Sequence, residues 1–382
     1  MSGTRISGAR IVAPDRVHEN AVLTIDGGFI HEISTDGAGS SGSLDLEGGY
    51  LVPGFIDTQV NGGGGMLFND APTVETIAAI ADAHRRFGTT GLLPTLISDD
   101  LAKMQCAIEA VDAAIAAGVP GILGIHIEGP FIHSKRRGIH SERFVRAPTD
   151  DELELLSRES EAVRLVTLAP EMVPAGTIAR LRKAGLLVAA GHSTADYAAT
   201  RRALEEGLDG FTHLFNAMTP FGSREPGMVG AALEDRTSQF GIIVDGHHVH
   251  PASLRVALAA RGLEGAMLVT DAMPPAGTDM ARFDLQGRAI AVDEGSLRGA
   301  DGTLAGSALT MDVAFRNAID MLGLSLSDAS RLASANPAGF LRMEALRGAI
   351  APGMAADLVH LDDTLRVRRV WIGGRLFDYS RR

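Results

Sequence analysis

Eight short apolar runs recur between residues 50 and 273 of the 382-residue chain, and they constrain its fold more than any other feature. Segments with helical periodicity separate most of these runs; Thr73–Phe87, closed by Gly88, is one example. Continuous apolar runs of this length are typical of parallel strands that are covered on both faces. Eight such units predict an α/β fold, a closed (β/α)8 TIM-like barrel. The runs lie at 50–60, 91–97, 121–128, 163–170, 186–192, 210–215, 240–246 and 265–273.

The two ends of the chain have a different pattern. Strand-like runs surround a Gly-Gly pair in residues 3–50 and again in residues 349–377. Two β-rich segments that flank a barrel most simply pair with each other. We therefore predict a small β-sandwich domain from residues 1–50 plus 349–382, and a metal-dependent catalytic barrel from residues 51–348. The segment GAGSSGS, residues 37–43, has the composition of a flexible loop.

Charge and composition exclude several classes of partner. The formal net charge of −12 argues against nucleic acid and anionic membranes, since both require basic patches. The single cysteine excludes an internal disulfide and fits a reducing compartment. The opening residues lack the apolar segment of a signal peptide, and no run reaches membrane-spanning length. We therefore expect a cytoplasmic protein with a small-molecule substrate.

Side chains that bind metals stand at the ends of several predicted strands, where barrel active sites are built. Glu128 ends the third strand, His192 the fifth, and His213 lies in the sixth. Asp271 ends the eighth strand. A lone histidine at a strand end is more often structural, but four such side chains at matching ends favour a metal site. Two histidines and one carboxylate form a known catalytic zinc set with an open fourth position. We expect His126 to pack inside the barrel rather than to bind the metal.

Eight sequence segments together resemble the N-acetylglucosamine-6-phosphate deacetylase family of the amidohydrolase superfamily. The resemblance covers nearly the whole chain in order. It implies a barrel within a β-sandwich, a divalent metal, and hydrolysis of N-acetyl-D-glucosamine 6-phosphate to D-glucosamine 6-phosphate and acetate. The segments are PGFIDTQVNGGGG (53–65), GIHIEGPFI (124–132), AAGHSTADY (189–197), FTHLFNAM (211–218), SREPGMVGAAL (223–233), VDGHHVH (244–250), LVTDAMPPAG (268–277) and TLAGSALTM (303–311).

Gln59 and Asn61 distinguish this chain within the family that it resembles. Some members carry His-x-His at this position and hold two metals, whereas others have Gln-x-Asn and resemble a one-metal design. The resemblance assigns Glu128, His192 and His213 as the ligands of one divalent ion. We expect Zn²⁺, although this ligand set also accepts Fe²⁺, Co²⁺ or Mn²⁺. The two amides are expected to form hydrogen bonds with water or with neighbouring ligands.

The resemblance also assigns roles in catalysis and substrate binding. Asp271 is expected to take the proton of the attacking water and return it to the amine nitrogen. His140 is expected to polarise the acetyl carbonyl, and the backbone N–H groups of Asn216 and Ala217 to bind the phosphate. The run KRR, residues 135–137, is interpreted as a solvated loop rather than a phosphate-binding group. The loop 279–301 is too irregular in sequence to align with the family. The remaining expected substrate contacts are Ile139, Arg224, His248, Leu304, Ala305 and Gly306.

Three alternatives remain at this stage. N-acetylgalactosamine 6-phosphate differs from the gluco substrate in the orientation of one hydroxyl group, which motifs do not distinguish. A ring-opening or deaminating amidohydrolase is disfavoured because those enzymes usually keep the histidine pair that Gln59 and Asn61 replace. A non-catalytic scaffold is disfavoured because the ligand set and Asp271 are retained. The family resemblance also implies a homodimer, in which Arg224 can reach the partner's site.

Overall fold

The computed structural model describes residues 3–35, 43–293 and 295–380. All but the last residue of the predicted flexible loop 37–43 lies outside these ranges. The described residues up to Pro53 form seven strands, of which the fifth, fourth, first and sixth make one sheet in that order. The strands are β1 Thr4–Ser7, β2 Arg10–Val12, β3 Val17–His18, β4 Val22–Asp26, β5 Phe29–Ser34, β6 Leu44–Asp45 and β7 Tyr50–Pro53.

Eight parallel strands, β8 and β11 to β17, form the central sheet, and each pairs with the next along the chain. Every residue of β8 and of β11 is buried, as expected for strands that are covered on both faces. The strands are β8 Phe55–Val60, β9 Gly62–Gly63, β10 Met66–Leu67, β11 Thr89–Ile97, β12 Gly124–Glu128, β13 Val163–Leu168, β14 Leu187–Ala190, β15 Gly210–Phe211, β16 Gln239–Ile242 and β17 Ala266–Leu268.

The seam between the first and last barrel strands is nearly closed. Val60 and Ala272 form a parallel bridge, and the N–H of Asp271 donates to the carbonyl of Gln59 over 3.0 Å. In the other half of the seam the carboxylate of Asp57 accepts from the Thr270 N–H over 3.3 Å, so a side chain takes the place of a backbone partner. The predicted α/β fold with an eight-stranded barrel is confirmed.

One helix follows each of the first seven barrel strands and covers the outer face of the sheet. In α1 the Thr73 hydroxyl caps the first turn by accepting from the Thr76 N–H over 3.3 Å, and Ile77 and Ile80 are fully buried. The helix predicted over Thr73–Phe87 is therefore present. These helices are α1 Val74–Arg85, α2 Leu101–Ala116, α3 Asp150–Leu156, α4 Thr177–Lys183, α5 Tyr197–Glu205, α6 Gly227–Glu234 and α7 Pro251–Arg261.

A four-stranded antiparallel sheet follows β17 and includes most of the loop that the sequence left unassigned. It buries Leu285, Ile290 and Leu297 against Ile139 and Met273. A bridge between Ala272 and Ser307 ties it to the end of the last barrel strand, so the sheet stands beside the mouth of the barrel. Its strands are β18 Arg282–Leu285, β19 Arg288–Asp293, β20 Ser296–Gly299 and β21 Leu304–Ser307.

The last part of the chain returns to the first. Helices α8 Met311–Asp320, α9 Leu326–Ser330 and α10 Asn336–Phe340 lead to strands β22 Leu358–Leu361, β23 Val367–Ile372 and β24 Arg375–Asp378. These strands join the amino-terminal segment in a six-stranded sheet of order β24-β23-β22-β7-β2-β3. Its buried face packs on the first sheet through a core shared by Leu23, Leu51, Leu358 and Trp371.

The predicted strand 50–60 is in fact two strands that belong to different sheets. The chain passes from the outer sheet to the barrel at Gly54, whose N–H donates to the Asp357 carbonyl over 2.9 Å. A Cβ at Gly54 would lie 2.0 Å from the Thr90 hydroxyl, so only glycine fits. The two extra sheets fit the predicted β-sandwich, and the exact domain boundaries stay a prediction. Within the described ranges, every helix falls short of the length or apolar character that crossing a bilayer requires.

Candidate metal and catalytic site

Three potential metal ligands converge at the mouth of the barrel. Glu128 is the last residue of β12, while His192 and His213 each follow a barrel strand by two residues. Glu128 Oε1 lies 3.1 Å from the Nε2 atoms of both His192 and His213, and the two Nε2 atoms are 3.0 Å apart. All three side chains are buried. The expected ligand atoms therefore form a triangle with sides of about 3 Å.

A hydrogen bond on the far side of the His192 ring determines which of its two nitrogens carries the hydrogen. Its Nδ1 lies 2.8 Å from the carbonyl oxygen of Arg136. Since a carbonyl only accepts, Nδ1 carries the hydrogen and Nε2 of the neutral ring presents a lone pair. A lone pair that faces the carboxylate of Glu128 in a buried space needs a cation or a proton between them. The donor set thus fits a divalent cation with an open coordination position.

The cluster also favours a negative charge on its carboxylate and a positive charge beside it, as a metal site requires. Burial opposes ionisation of Glu128, but its close contacts with the His192 and His213 rings hold the pKa of its carboxyl well below the usual range. Burial likewise opposes the charging of His213, yet its contact with Glu128 raises the pKa of the ring. A proton on His213 can therefore occupy the place that a metal cation would take.

His140 adds a further nitrogen to this group. One donor atom each from Glu128, His140 and His192 lie within 4.8 Å of one another, which is also compatible with a metal. The Nε2 atom of His213 lies 3.1 Å from Glu128 Oε1 and 3.0 Å from His192 Nε2, so Glu128, His192 and His213 also form a possible ligand set. The ligand set stays a prediction, and His140 stands at its edge, with its ring centroid 4.5 Å from that of His192.

The geometry makes His140 a neutral hydrogen-bond donor. Its Nδ1 accepts from the Ser98 N–H over 3.3 Å and lies 2.8 Å from the Ser98 hydroxyl. The hydrogen of the neutral ring is therefore on Nε2, which has no protein partner among the described residues. Burial, which disfavours the charged ring, lowers the pKa of His140 to about 3. The ring can donate to a carbonyl oxygen at neutral pH without becoming charged.

Asp271 lies across the cavity from these histidines. Its Oδ1 accepts from Asn61 Nδ2 over 2.7 Å and from Gln59 Nε2 over 3.2 Å. Burial, followed by the charge of Glu128, raises the pKa of Asp271 to about 6. A carboxyl group with a pKa near neutrality can both take up and release a proton, as a general acid-base catalyst must.

The backbone at the strand ends is held in an uncommon conformation. His192, His213 and Asp271 have φ angles of 50°, 36° and 52°, in the left-handed region that non-glycine residues rarely adopt. Each such residue costs about 1 kcal/mol or more, and this strain is concentrated at functional sites. The left-handed conformation turns the chain sharply after the strand. No sequence pattern revealed this feature.

His126 is separate from the convergent atoms, as the sequence analysis predicts. Its Nε2 lies 2.7 Å from the Thr167 hydroxyl and its Nδ1 3.1 Å from the Thr58 carbonyl. Burial lowers the pKa of the ring to about 4, so it stays neutral. This histidine is satisfied by hydrogen bonds within the barrel.

A cavity of about 470 Å³ opens above the site and brings most of the predicted residues together. Two predicted residues do not line it. Arg224 is exposed on the loop after β15, and Ala305 is buried in the core beneath the β18–β21 sheet. The predicted residues on its wall are Glu128, Ile139, His140, His192, His213, Asn216, Ala217, His248, Asp271, Leu304 and Gly306.

Three cationic side chains on the cavity wall were not among the predicted contacts. Lys135 and Arg136 come from the run interpreted as a solvated loop, and Arg298 comes from β20. Lys135 is indeed exposed, so the loop interpretation is incomplete rather than wrong. None of the three pairs with a carboxylate of the described residues. The run of three basic residues, KRR, is the sequence signal that could have indicated a role for this loop in substrate binding.

Comparisons with known proteins agree with this geometry. The model of the Amidohydrolase family matches residues 50–377. The N-acetylgalactosamine-6-phosphate deacetylase of Shewanella sp. (strain ANA-3) is 45% identical over 97% of this chain and 94% of its own length. The N-acetylglucosamine-6-phosphate deacetylase of Homo sapiens is 38% identical over 87% of this chain and 84% of its own length.

Solved structures give the same result. The N-acetylglucosamine-6-phosphate deacetylase of Pasteurella multocida superimposes with a TM-score of 0.95 at 31% identity, covering 98% of this chain and 100% of that one. A variant of the Mycobacterium smegmatis enzyme in complex with N-acetyl-D-glucosamine-6-phosphate has a TM-score of 0.92 at 34% identity, covering 98% and 99%. The chain therefore belongs to the amidohydrolase family of hydrolases.

Proposed function

We propose that the protein hydrolyses the acetamido group of an N-acetylhexosamine 6-phosphate, releasing acetate and the amino sugar phosphate. The supporting observation is the convergence of Glu128, His192 and His213 opposite Asp271 in one cavity. N-acetyl-D-glucosamine 6-phosphate is the first candidate substrate. The galacto epimer is the second, because the Shewanella relative at 45% identity bears that name.

Glu128, His192 and His213 would hold one divalent ion, for which we propose Zn²⁺. When bound, such an ion polarises the acetyl carbonyl as a Lewis acid and makes water more acidic. Gln59 and Asn61 offer amide N–H groups where a second ion would need ligand lone pairs, which supports one ion rather than two.

The protein groups then carry the proton. Water oxygen attacks the acetyl carbon while the carboxylate of Asp271 takes the water proton. Asp271 returns that proton to the amine nitrogen as the carbon–nitrogen bond breaks, and the second water proton passes from the new carboxyl group to the amine, so the products are acetate and the protonated amino sugar phosphate. The Oδ2 atom of Asp271 receives no hydrogen bond from the described residues, so it is available for this transfer. The Nε2–H of His140 donates to the acetyl oxygen as negative charge develops there.

Recognition of the sugar phosphate is proposed for the cavity wall. The N–H of Ala217 has no hydrogen-bond partner among the described residues, whereas that of Asn216 already donates to the His213 carbonyl over 3.0 Å. Ala217 is therefore the better phosphate donor of the pair. His248 is oriented by Asp245, whose Oδ2 lies 2.6 Å from its Nδ1. Ile139, Leu304 and Gly306, which line the cavity, are proposed contacts of the sugar ring.

Arg224 is proposed to act on a partner subunit of a homodimer. It is exposed and outside the cavity of its own chain, so a role in phosphate binding requires a second copy. Phe221, three residues earlier on the same loop, is 67% exposed. Exposed aromatic and arginine side chains in proximity are typical of protein–protein interfaces. The compartment we propose is the cytoplasm.

Acetate release from a substrate panel tests the function. The panel contains the 6-phosphates of N-acetylglucosamine and N-acetylgalactosamine and both unphosphorylated sugars, with Asp271→Asn as the control protein. We expect turnover of at least one 6-phosphate, with kcat/KM about tenfold or more above that of the matching free sugar, since the phosphate contacts are then lost. A metal-loaded wild type that releases no acetate from any of the four would contradict the proposal and favour a scaffold role.

A further inference from the structure

Gln59 and Asn61, at the end of β8, direct two amide groups at one atom. Asn61 Nδ2 lies 2.7 Å and Gln59 Nε2 lies 3.2 Å from Oδ1 of Asp271. An ionised carboxylate only accepts hydrogen bonds, so both amides must present N–H to it. Their orientation is thereby fixed by chemistry. The two donors hold one oxygen of Asp271 and leave the other free to meet the reactants.

Gln59 also contacts the metal-binding carboxylate. Its Nε2 lies 3.1 Å from each of the two oxygens of Glu128. One neutral NH2 group therefore stands between two buried carboxylates and donates to both. This arrangement couples the orientation of the ligand Glu128 to that of the base Asp271.

Packing alone does not account for an asparagine at position 61. Asn61 is fully buried, and its Oδ1 has no hydrogen-bond partner among the described residues. An unsatisfied buried carbonyl oxygen is unfavourable for folding, and a leucine of similar shape would avoid it. The side chain is therefore costly at this position, and its one polar contact is with Asp271.

We propose that Gln59 and Asn61 are positioning residues that fix the carboxylate of Asp271 with Oδ2 toward the substrate. This inference rests on the proposed function. Asn61 acts through Asp271 only, whereas Gln59 acts through both Asp271 and Glu128. The pair thus replaces coordination bonds with hydrogen bonds as the means of orienting the base.

A double-mutant cycle tests this role. Asn61→Leu removes the donor at nearly constant volume, and we expect kcat to fall about 10- to 100-fold, the loss of one hydrogen bond to a charged group. KM and bound metal should stay within about twofold, because Asn61 contacts no proposed metal ligand and does not itself line the cavity. In an Asp271→Asn background the same substitution should change kcat by less than about twofold, since there is no ionised base left to orient.

Two further measurements keep the result interpretable. Asn336→Leu is the matched control, because Asn336 is also buried and bonds only to backbone carbonyls of Leu263 and Ala266, at the opposite end of the barrel. It should lower the melting temperature and leave kcat unchanged. A crystal structure of Asn61→Leu should show the Asp271 carboxylate rotated, an outcome that requires no assay.

The outcomes separate this inference from the proposed function. Equal losses from Asn61→Leu in the wild-type and Asp271→Asn backgrounds would overturn the positioning role while acetate release still stands. An unrotated carboxylate in the variant crystal would overturn it as well. A wild type inactive on every hexosamine tested would refute the function, and the crystal structure would then decide whether Asn61 orients Asp271.

Discussion

Asp57 places a carboxyl group in the seam of the barrel. We expect titration of this group to make the free energy of unfolding depend on pH. Its side chain is fully buried, and its Oδ1 accepts the N–H groups of Gln59 and Thr270 over 3.2 and 3.3 Å. The Thr270 hydroxyl donates to Oδ2 over 2.5 Å. Burial outweighs these hydrogen bonds and raises the pKa of Asp57 to about 7. Asp271 is the nearby charge that adds to the shift.

The sign of the effect follows from proton binding. The folded protein keeps the Asp57 proton up to a pH of about 7, whereas the unfolded chain releases it near the ordinary aspartate pKa of 3.8. Between these two values the folded state binds more protons, so its stability decreases as pH rises. Each pH unit in this window contributes about 1.4 kcal/mol to the free energy of unfolding. Above a pH of about 7 the contribution is lost and no longer changes.

Asp57→Asn isolates this contribution. The amide keeps an acceptor oxygen for the two N–H groups and never ionises. The free energy of unfolding of the variant, minus that of the wild type, should therefore increase by about 2–4 kcal/mol between pH 4 and pH 8. Urea titrations at fixed pH, followed by far-ultraviolet circular dichroism, measure this difference.

Asp235→Asn is the matched control because its pKa is displaced in the opposite direction. Burial opposes ionisation of Asp235, but hydrogen bonds from Ser238 and Thr237 lower its pKa. The ionised form of Asp235 therefore stabilises the folded state, and this contribution is complete above the pKa of the unfolded chain. The free energy of unfolding of Asp235→Asn should lie below that of the wild type by the same amount from pH 5 to pH 8. If Asp57→Asn gave an equally flat difference over that range, Asp57 would be ionised in the fold, and the argument from burial would be refuted.

Three further predictions concern the site. Asp271→Asn should lower kcat by about two orders of magnitude or more with little change in metal content, and a near-normal kcat would assign the base elsewhere. Elemental analysis should find about one tightly bound divalent ion per chain, lost in His192→Ala or His213→Ala, because the ligand set fits one four-coordinate ion; two tight ions would contradict the one-metal design. Arg224→Ala should lower kcat/KM about 10- to 150-fold for a 6-phosphate and very little for the free sugar, from the loss of a charge-assisted hydrogen bond of about 1.5–3 kcal/mol. Equal losses on both sugars would show that Arg224 is structural.

The barrel could be predicted from the sequence because its strands are buried on both faces, which leaves continuous apolar runs as a local signal. The same signal did not reveal that the run 50–60 is two strands divided at Gly54, because the strands of the outer sheet and of the barrel are both apolar there. Polar residues at strand ends indicated which side chains meet, because parallel strands end at one edge.

Other features depend on distant contacts that no local pattern encodes. Strands β18 and β19 are partly exposed and irregular in sequence, so they gave no periodic signal, and the approach of Arg298 from β20 to the cavity was not predicted. The positive φ angles of His192, His213 and Asp271 are imposed by the surrounding structure against the preference of these residues. The orientation of Gln59 likewise depends on Asp271, which lies at the other end of the barrel sequence.

The pairing of β7 with β22 sets an order of events during synthesis. Strand β7 leads directly into the first barrel strand, yet its antiparallel partner β22 follows the whole barrel in the sequence. Val52 and Leu51 therefore stay without the partners Val359 and His360 until the whole barrel has been synthesised. Nascent chains halted before residue 358 would expose this apolar edge, and an unpaired apolar edge is a site for aggregation or chaperone binding.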